Sequence, residues 1–323
     1  MSTVSNRIFV SIGVSKPHGG LAALPGAITA AERMALWAKA QGYITLLLHD
    51  ENLPEITVEL LRKEITKVIE DVTGQTELKR LVIFFAGHGG SQQVGDQFWL
   101  LTNWDTDWNE AIRISSLQRI LEYYGPKQVA VIGDACQEYS SRFIDVLGSA
   151  ILKKNDEEPH RYELDQFLAV GFGKQAYMIK AKDENKAFCL FTEVLLDALE
   201  GDASDNYFEK LNGNKVITSQ SLASYLDNNV PMEAARYGLH MDPCPKPGFY
   251  TDRTYLTLPE LSAGLTIPSA TVMAASTSIE SFEIEMLGAS RDKTARSAIS
   301  KPKKKAPDHV RSVARIALEK PKP

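Results

Sequence analysis

Apolar residues recur along the chain with two spacings that alternate from one segment to the next. Short apolar runs of strand length occupy positions 7–14, 43–48, 80–86, 128–132, 166–172 and 253–258. Between them, apolar residues three and four positions apart predict helices over 27–40, 58–72, 115–124, 188–200 and 220–228. A hairpin or loop is predicted around 95–101. Strands that alternate with helices are typical of an α/β fold in which a mostly parallel sheet lies between helices.

Two chemically reactive side chains follow two of these predicted strands. The run at 80–86 continues into Gly-His-Gly-Gly with His88, and the run at 128–132 continues into Gly-Asp-Ala-Cys with Cys136. Because parallel sheets place their sites beyond the carboxyl ends of the strands, we expect both side chains at one edge. A thiol needs a neighbouring base to become a strong nucleophile, and His88 could be that base. The N–H groups of Gly89 and Cys136 could then form an oxyanion hole.

Composition narrows the class of protein without revealing the reaction. The 323 residues are 44% hydrophobic and 24% charged, as in an ordinary globular protein. Three cysteines are an odd count, which argues against a disulfide framework and predicts a reducing, cytoplasmic location. They also lack CxxC spacing, which argues against a structural zinc site. No apolar run approaches the roughly 20 residues of a membrane span, and the polar start of the chain has no features of a secretory signal.

Charge is distributed unevenly between the two ends of the chain. From Arg291 onward there are eleven Lys or Arg and three Asp or Glu, a balance of +8, although the whole chain carries −5. This pattern predicts a folded domain over 1–260 and a largely disordered tail over 261–323, which is first rich in Ser, Ala and Thr and then basic. The tail could bind a protein, a nucleic acid or a membrane surface, or could simply be solvated.

The two motifs together carry a family resemblance. The run Phe-Phe-Ala-Gly-His-Gly that includes His88 resembles the SGHG motif of metacaspases and prokaryotic caspase-like proteins, and Asp134-Ala135-Cys136 resembles their D-[SA]-C motif. Leu24–Ala27 and Phe191-Thr192 are also similar to family segments, so the resemblance spans about residues 5–258. The His-to-Cys separation of 48 residues is close to that of caspases.

The resemblance implies a caspase-like fold with a sheet of about six strands. It also implies a cysteine endopeptidase of the C14 peptidase type, which hydrolyses peptide bonds in proteins through an acyl-enzyme. In this reading Cys136 and His88 form a catalytic dyad. The resemblance also leaves open a role in stress, cell death or anti-phage defence.

The resemblance leaves the choice of substrate side chain open. Asp134 matches the aspartate with which metacaspases recognise Arg or Lys at P1, the residue before the cleaved bond, and this favours a basic P1. Lys16 lies near the place where caspases keep a pocket arginine, which would favour Asp instead. Glu138 could serve as a pocket acid or be solvated. A basic P1 also predicts self-cleavage at Lys153 or Lys154, in the charged segment 147–163.

Other functions remain compatible with the same sequence. The chain could be a catalytically silent caspase-like module that binds partners, or a hydrolase or transferase that acts on a non-peptide substrate. No cofactor is predicted with certainty and no metal site is expected. Many metacaspases require calcium, so activation by calcium is an option, although no acidic loop has the spacing of a calcium site.

Overall fold

The structure of the protein is a computed structural model that describes residues 5–181, 187–248, 254–258 and the backbone of a strand at 282–286. Within these residues the helices are α1 (Pro25–Ala40), α2 (Val58–Thr73), α3 (Ile114–Leu121), α4 (Leu190–Glu200) and α5 (Ser219–Arg236). The strands are β1 (Arg7–Gly13), β2 (Ile44–His49), β3 (Arg80–Ala86), β4 (Gly89–Gln93), β5 (Asp96–Leu100), β6 (Ala111–Arg113), β7 (Gln128–Asp134), β8 (Glu163–Leu168), β9 (Tyr177–Ala181), β10 (Ala187–Cys189), β11 (Glu209–Leu211), β12 (Asn214–Thr218), β13 (Cys244–Lys246), β14 (Thr254–Leu258) and β15 (Phe282–Met286).

A six-stranded sheet forms the centre of the molecule. Its strand order is β13-β8-β7-β3-β1-β2, and every neighbouring pair is parallel except β13 with β8. Parallel neighbours need long crossover connections, and α1 and α2 provide the first two of them. The predicted mixed α/β architecture with a mostly parallel sheet is therefore confirmed.

Helices cover both faces of this sheet. Val82 and Phe84 of β3 belong to the hydrophobic cluster that contains the buried residues of α1, α4 and α5. Leu81, Ile83 and Phe85 alternate with them and belong to the cluster that contains the buried residues of α2 and α3. Because both faces of β3 are buried, the strand is apolar at nearly every position, as its sequence indicated.

The sixth strand of the sheet is not the one that the sequence predicts. The predicted strand at 253–258 forms as β14, but it pairs with β12 in a separate three-stranded sheet. The sixth strand is instead β13, which begins at Cys244, outside every strand predicted from the sequence. This strand has three residues and includes Pro245, which an edge position tolerates because its missing N–H is not needed there. Such a short strand leaves no alternating apolar pattern to detect.

Two elements have bounds that differ from the predicted ones. The fifth predicted strand, 166–172, forms as β8 at Glu163–Leu168 and includes the buried Asp165, a polar residue that the apolar pattern excluded. The Asp165 carboxylate accepts hydrogen bonds from the hydroxyls of Ser219 and Tyr255 and from the Gly248 N–H. The helix predicted over 220–228 extends through Pro231 to Arg236.

Part of the predicted tail forms a strand. The segment β15 pairs antiparallel with β9, so Met286 lies opposite Tyr177. The other residues of 261–323, and the predicted domain boundary at 260, lie outside the described residues. Across the described part of the chain, none of the helices combines the length and apolar character that crossing a bilayer requires.

Candidate active site

The register of β3 and β7 brings His88 and Cys136 to the same edge of the sheet. Ala86 pairs with Asp134 at the ends of the two strands, and each reactive residue follows two positions later. The chains continue side by side beyond the sheet, because the Gly87 N–H donates to the Asp134 carbonyl over 3.2 Å. The sequence predicted this common edge, and the structure places both residues there.

The imidazole of His88 is held in a defined orientation by the backbone. The ring is fully buried, and its Nε2 lies 2.8 Å from the carbonyl oxygen of Ala22. A carbonyl oxygen can only accept a hydrogen bond, so a neutral imidazole carries its proton on Nε2 and leaves Nδ1 as the basic nitrogen. Ala22 therefore sets the tautomer, although its side chain has no feature that would indicate such a role in the sequence.

The thiol of Cys136 is also fully buried and lies against backbone atoms of Ala176, directly before β9. The Ala176 N–H donates to Sγ over 3.1 Å, and Sγ lies 3.6 Å from the Ala176 carbonyl oxygen. The N–H group can stabilise negative charge on the sulfur, whereas the carbonyl oxygen can accept only from the protonated thiol. Because every residue has a peptide group, the sequence could not identify Ala176 as the residue that contacts the thiol.

Gly89 lies where any side chain would collide with Ala135 and Cys136. A Cβ at this position would lie 2.9 Å from the Cys136 carbonyl oxygen and 3.0 Å from the Cβ of Ala135. The Leu100 N–H donates to the His88 carbonyl in the ladder between β4 and β5. In an antiparallel pair, the residues that bond to the neighbouring strand alternate with residues whose N–H and C=O groups point away from it. The Gly89 N–H therefore points away from β5. This arrangement is compatible with an oxyanion-hole role for the group.

Asp134, two residues before Cys136, is fully buried rather than exposed to solvent. Its Oδ2 accepts hydrogen bonds from the Thr192 N–H at 2.8 Å and from the Thr192 hydroxyl at 2.6 Å. Burial raises the pKa of Asp134 to about 7, and the two bonds from Thr192 oppose the rise. Thr192 lies in the first turn of α4, where the helix dipole also favours a carboxylate. Two segments that resemble the same family thus meet in space.

The three lysines named from the sequence lie at the surface. Lys16 is exposed, and its backbone N–H donates to the Asp50 carboxylate over 2.6 Å. Lys153 and Lys154 are exposed between β7 and β8, the segment in which cleavage was predicted. The ammonium of Lys153 lies 3.3 Å from a Glu59 carboxylate oxygen, and that of Lys154 lies 5.0 Å from the centre of an aromatic ring.

The segment 137–138 is fastened to the loop that follows β8. The Gln137 side chain donates to the Val170 carbonyl, and the Gln137 carbonyl accepts the Gly173 N–H over 2.8 Å. Glu138 is buried, and its Oε2 accepts a hydrogen bond from the Gln175 amide over 2.9 Å. These contacts enclose the thiol from the side of β9.

Within the described ranges, no three His, Cys, Asp or Glu side chains are grouped so that they could hold a metal ion.

Comparison with known proteins finds solved structures of similar fold but no protein of similar sequence. No family model matches the chain, and no curated protein matches its sequence. The crystal structure of protein GSU0716 from Geobacter sulfurreducens superposes with a TM-score of 0.50 at 14% identity, over 78% of this chain and 97% of that one. This similarity shows a shared fold. The Drosophila initiator caspase Dronc superposes with a TM-score of 0.48 at 8% identity, over 76% of this chain and 81% of that one.

Proposed function

We propose that this protein is a caspase-like cysteine endopeptidase in which Cys136 is the nucleophile and His88 the general base. The observation that carries the proposal is the arrangement at the sheet edge. There, Ala22 holds the imidazole by Nε2, and the thiol lies at the end of the neighbouring strand. Covalent catalysis commonly uses a nucleophile, a base that takes its proton, and a third group that orients the base.

In the proposed reaction, Nδ1 of His88 takes the proton of the Cys136 thiol, and the sulfur attacks the carbonyl carbon of the scissile peptide bond. The N–H groups of Gly89 and Cys136 bind the oxygen that becomes negative. His88 then gives its proton to the leaving amine, and the C–N bond breaks to leave a thioester. Water, deprotonated by the same imidazole, hydrolyses the thioester and restores the thiol.

For specificity, we propose a preference for Arg or Lys at P1. The resemblance assigns the pocket acid to Asp134, and Glu138 is the second acid that the sequence offers for this role. An ion pair with a carboxylate would favour such a side chain. If Lys16 lines the pocket instead, the enzyme cleaves after Asp. Self-cleavage at Lys153 or Lys154 follows from the basic preference and is supported by the exposure of both side chains.

The proposal also includes the domain organisation of the chain, its cellular location and its biological role. A peptidase domain over 1–260 would be followed by the tail over 261–323, whose basic end would bind a protein, nucleic acid or membrane surface. Within the described residues Cys136, Cys189 and Cys244 form no disulfide, which supports the proposal of a cytoplasmic location. Calcium activation and a role in stress, cell death or anti-phage defence rest on the family resemblance alone.

The test uses the full chain and fluorogenic peptides with Arg, Lys or Asp at P1, with and without calcium. We expect hydrolysis after Arg or Lys that Cys136→Ala and His88→Ala both abolish. The unsubstituted protein should also be cut near position 153 during incubation, and Lys153→Gln combined with Lys154→Gln should prevent this. Cleavage after Asp alone would retain the peptidase and overturn the basic preference.

A catalytically silent interaction module is the alternative, because Cys136 and His88 are both fully buried in this conformation. A peptide could reach the thiol only after the segment around Ala176 moves. A thiol-reactive peptide probe separates the two functions, since an active enzyme labels at Cys136. Absence of both labelling and hydrolysis under every condition would favour the module.

A further inference from the structure

Glu138 lies two residues beyond the nucleophile, between the start of β4 and the loop that precedes β9. Its carbonyl oxygen accepts the Ser91 N–H over 3.1 Å, so the backbone here is anchored to the strand that follows His88. On the other side, Gln137 is bonded to the loop at Lys174 and Gly173. Glu138 therefore belongs to the same rigid segment as Cys136.

The carboxylate of Glu138 is bonded to the residue before Ala176, whose N–H donates to the sulfur of Cys136. The side chain is 5% exposed and accepts the Gln175 amide, and Gln175 directly precedes the alanine that contacts Sγ. The phenol of Tyr177 is close to both groups. Burial raises the pKa of Tyr177 to about 12, and the negative charges of Cys136 and then Glu138 contribute further to the rise.

The other acid near the nucleophile has a different environment. Both Thr192 donors bind Asp134 Oδ2 on the side of α4, and the side chain is sealed in the core. A substrate side chain that paired with Asp134 would have to pass into this core. Glu138, in contrast, is bonded to Gln175, which is next to the exposed residues 172–174 of the loop before β9, so it is nearer to the protein surface.

We propose that Glu138 is the carboxylate that binds a cationic P1 side chain of the peptide, which takes the place of the Gln175 amide. The inference rests on the proposed peptidase function and names the residue that determines its specificity. A guanidinium or ammonium forms charge-assisted hydrogen bonds with a carboxylate that are roughly twice as strong as those of a neutral amide. A cationic side chain can therefore displace Gln175, whereas a neutral one gains little by doing so.

The experiment uses the full chain and two fluorogenic peptides that differ only at P1, with arginine in one and its neutral near-isostere citrulline in the other. We measure kcat/KM and also the rate at which matching acyloxymethyl ketones label Cys136. In Glu138→Gln we expect the arginine-to-citrulline ratio to fall about 10- to 100-fold, the range for loss of one charged hydrogen-bond partner. Glu138→Asp keeps the charge and should keep most of the ratio.

Three further variants distinguish a role of Glu138 in binding the P1 side chain from a role in holding the loop. Gln175→Ala should keep or raise the ratio, because it removes the competing amide. Asp134→Asn should keep the ratio, and Glu157→Gln, in the exposed segment between β7 and β8, serves as the matched control for loss of a negative charge.

The inference is overturned if Glu138→Gln leaves the ratio unchanged, if Asp134→Asn alone abolishes it, or if Gln175→Ala reproduces the effect of Glu138→Gln on both peptides. The last result would show that the pair only holds the loop. If the unsubstituted protein neither hydrolyses a peptide nor labels at Cys136, the proposed function itself fails and the inference fails with it.

Discussion

The buried carboxyl of Asp134 predicts an unusual dependence of stability on pH. Burial raises its pKa from 3.8 to about 7. In the native state the group therefore keeps its proton over a pH range in which the unfolded chain has lost it. Because the native state binds more protons there, the free energy of unfolding falls as pH rises through that range. The substitution Asp134→Asn removes this titration and keeps an oxygen that can accept the bonds from Thr192.

The size of the effect follows from the two pKa values. Each unit between them is worth about 1.4 kcal/mol. Most of the change lies between pH 5 and pH 8, where the linkage relation gives a loss of about 2–3 kcal/mol for this group. The unsubstituted protein should therefore lose about 2–3 kcal/mol more than Asp134→Asn over this interval.

Urea unfolding at pH 5, 6, 7 and 8 measures the difference, provided that the transition is reversible. Other carboxyls whose pKa values are raised by burial, such as Asp165 and Asp197, contribute equally to both proteins and cancel in the comparison. Asp156→Asn, at an exposed position, is the control and should follow the unsubstituted protein. Parallel curves for the unsubstituted protein and Asp134→Asn would refute the view that this carboxyl is buried with a raised pKa.

Two further substitutions test the packing around the candidate site. Gly89→Ala places a Cβ 2.9 Å from the Cys136 carbonyl oxygen, so peptide hydrolysis should fall about 100-fold. Gly171→Ala, where a Cβ would meet no atom within 4 Å, should have little effect, and equal activity of both variants would contradict the predicted clash. Phe143→Ala removes a fully buried ring that packs edge-on against two others, and should lower the free energy of unfolding by about 3–5 kcal/mol. Tyr139→Ala, at a 63% exposed side chain, should change it by less than about 0.5 kcal/mol in denaturant unfolding, and similar losses in both variants would disprove the packing argument.

The sequence by itself determined the layered architecture and the position of the two reactive residues. Strands such as β3 are apolar at almost every position because helices cover both faces, and this pattern is readable without coordinates. His88 and Cys136 follow the ends of two strands that are parallel neighbours in the sheet, so a common edge follows from topology alone.

Only the tertiary structure decided what surrounds those residues. The groups that contact His88 and Cys136 include the peptide groups of Ala22 and Ala176, which are chemically the same at every position and leave no trace in a sequence. The bond between Asp134 and Thr192 joins residues 58 positions apart, and the edge strand β13 is too short to show a period. Such features arise from long-range packing, which brings distant backbone and side-chain groups together after local preferences have formed the elements.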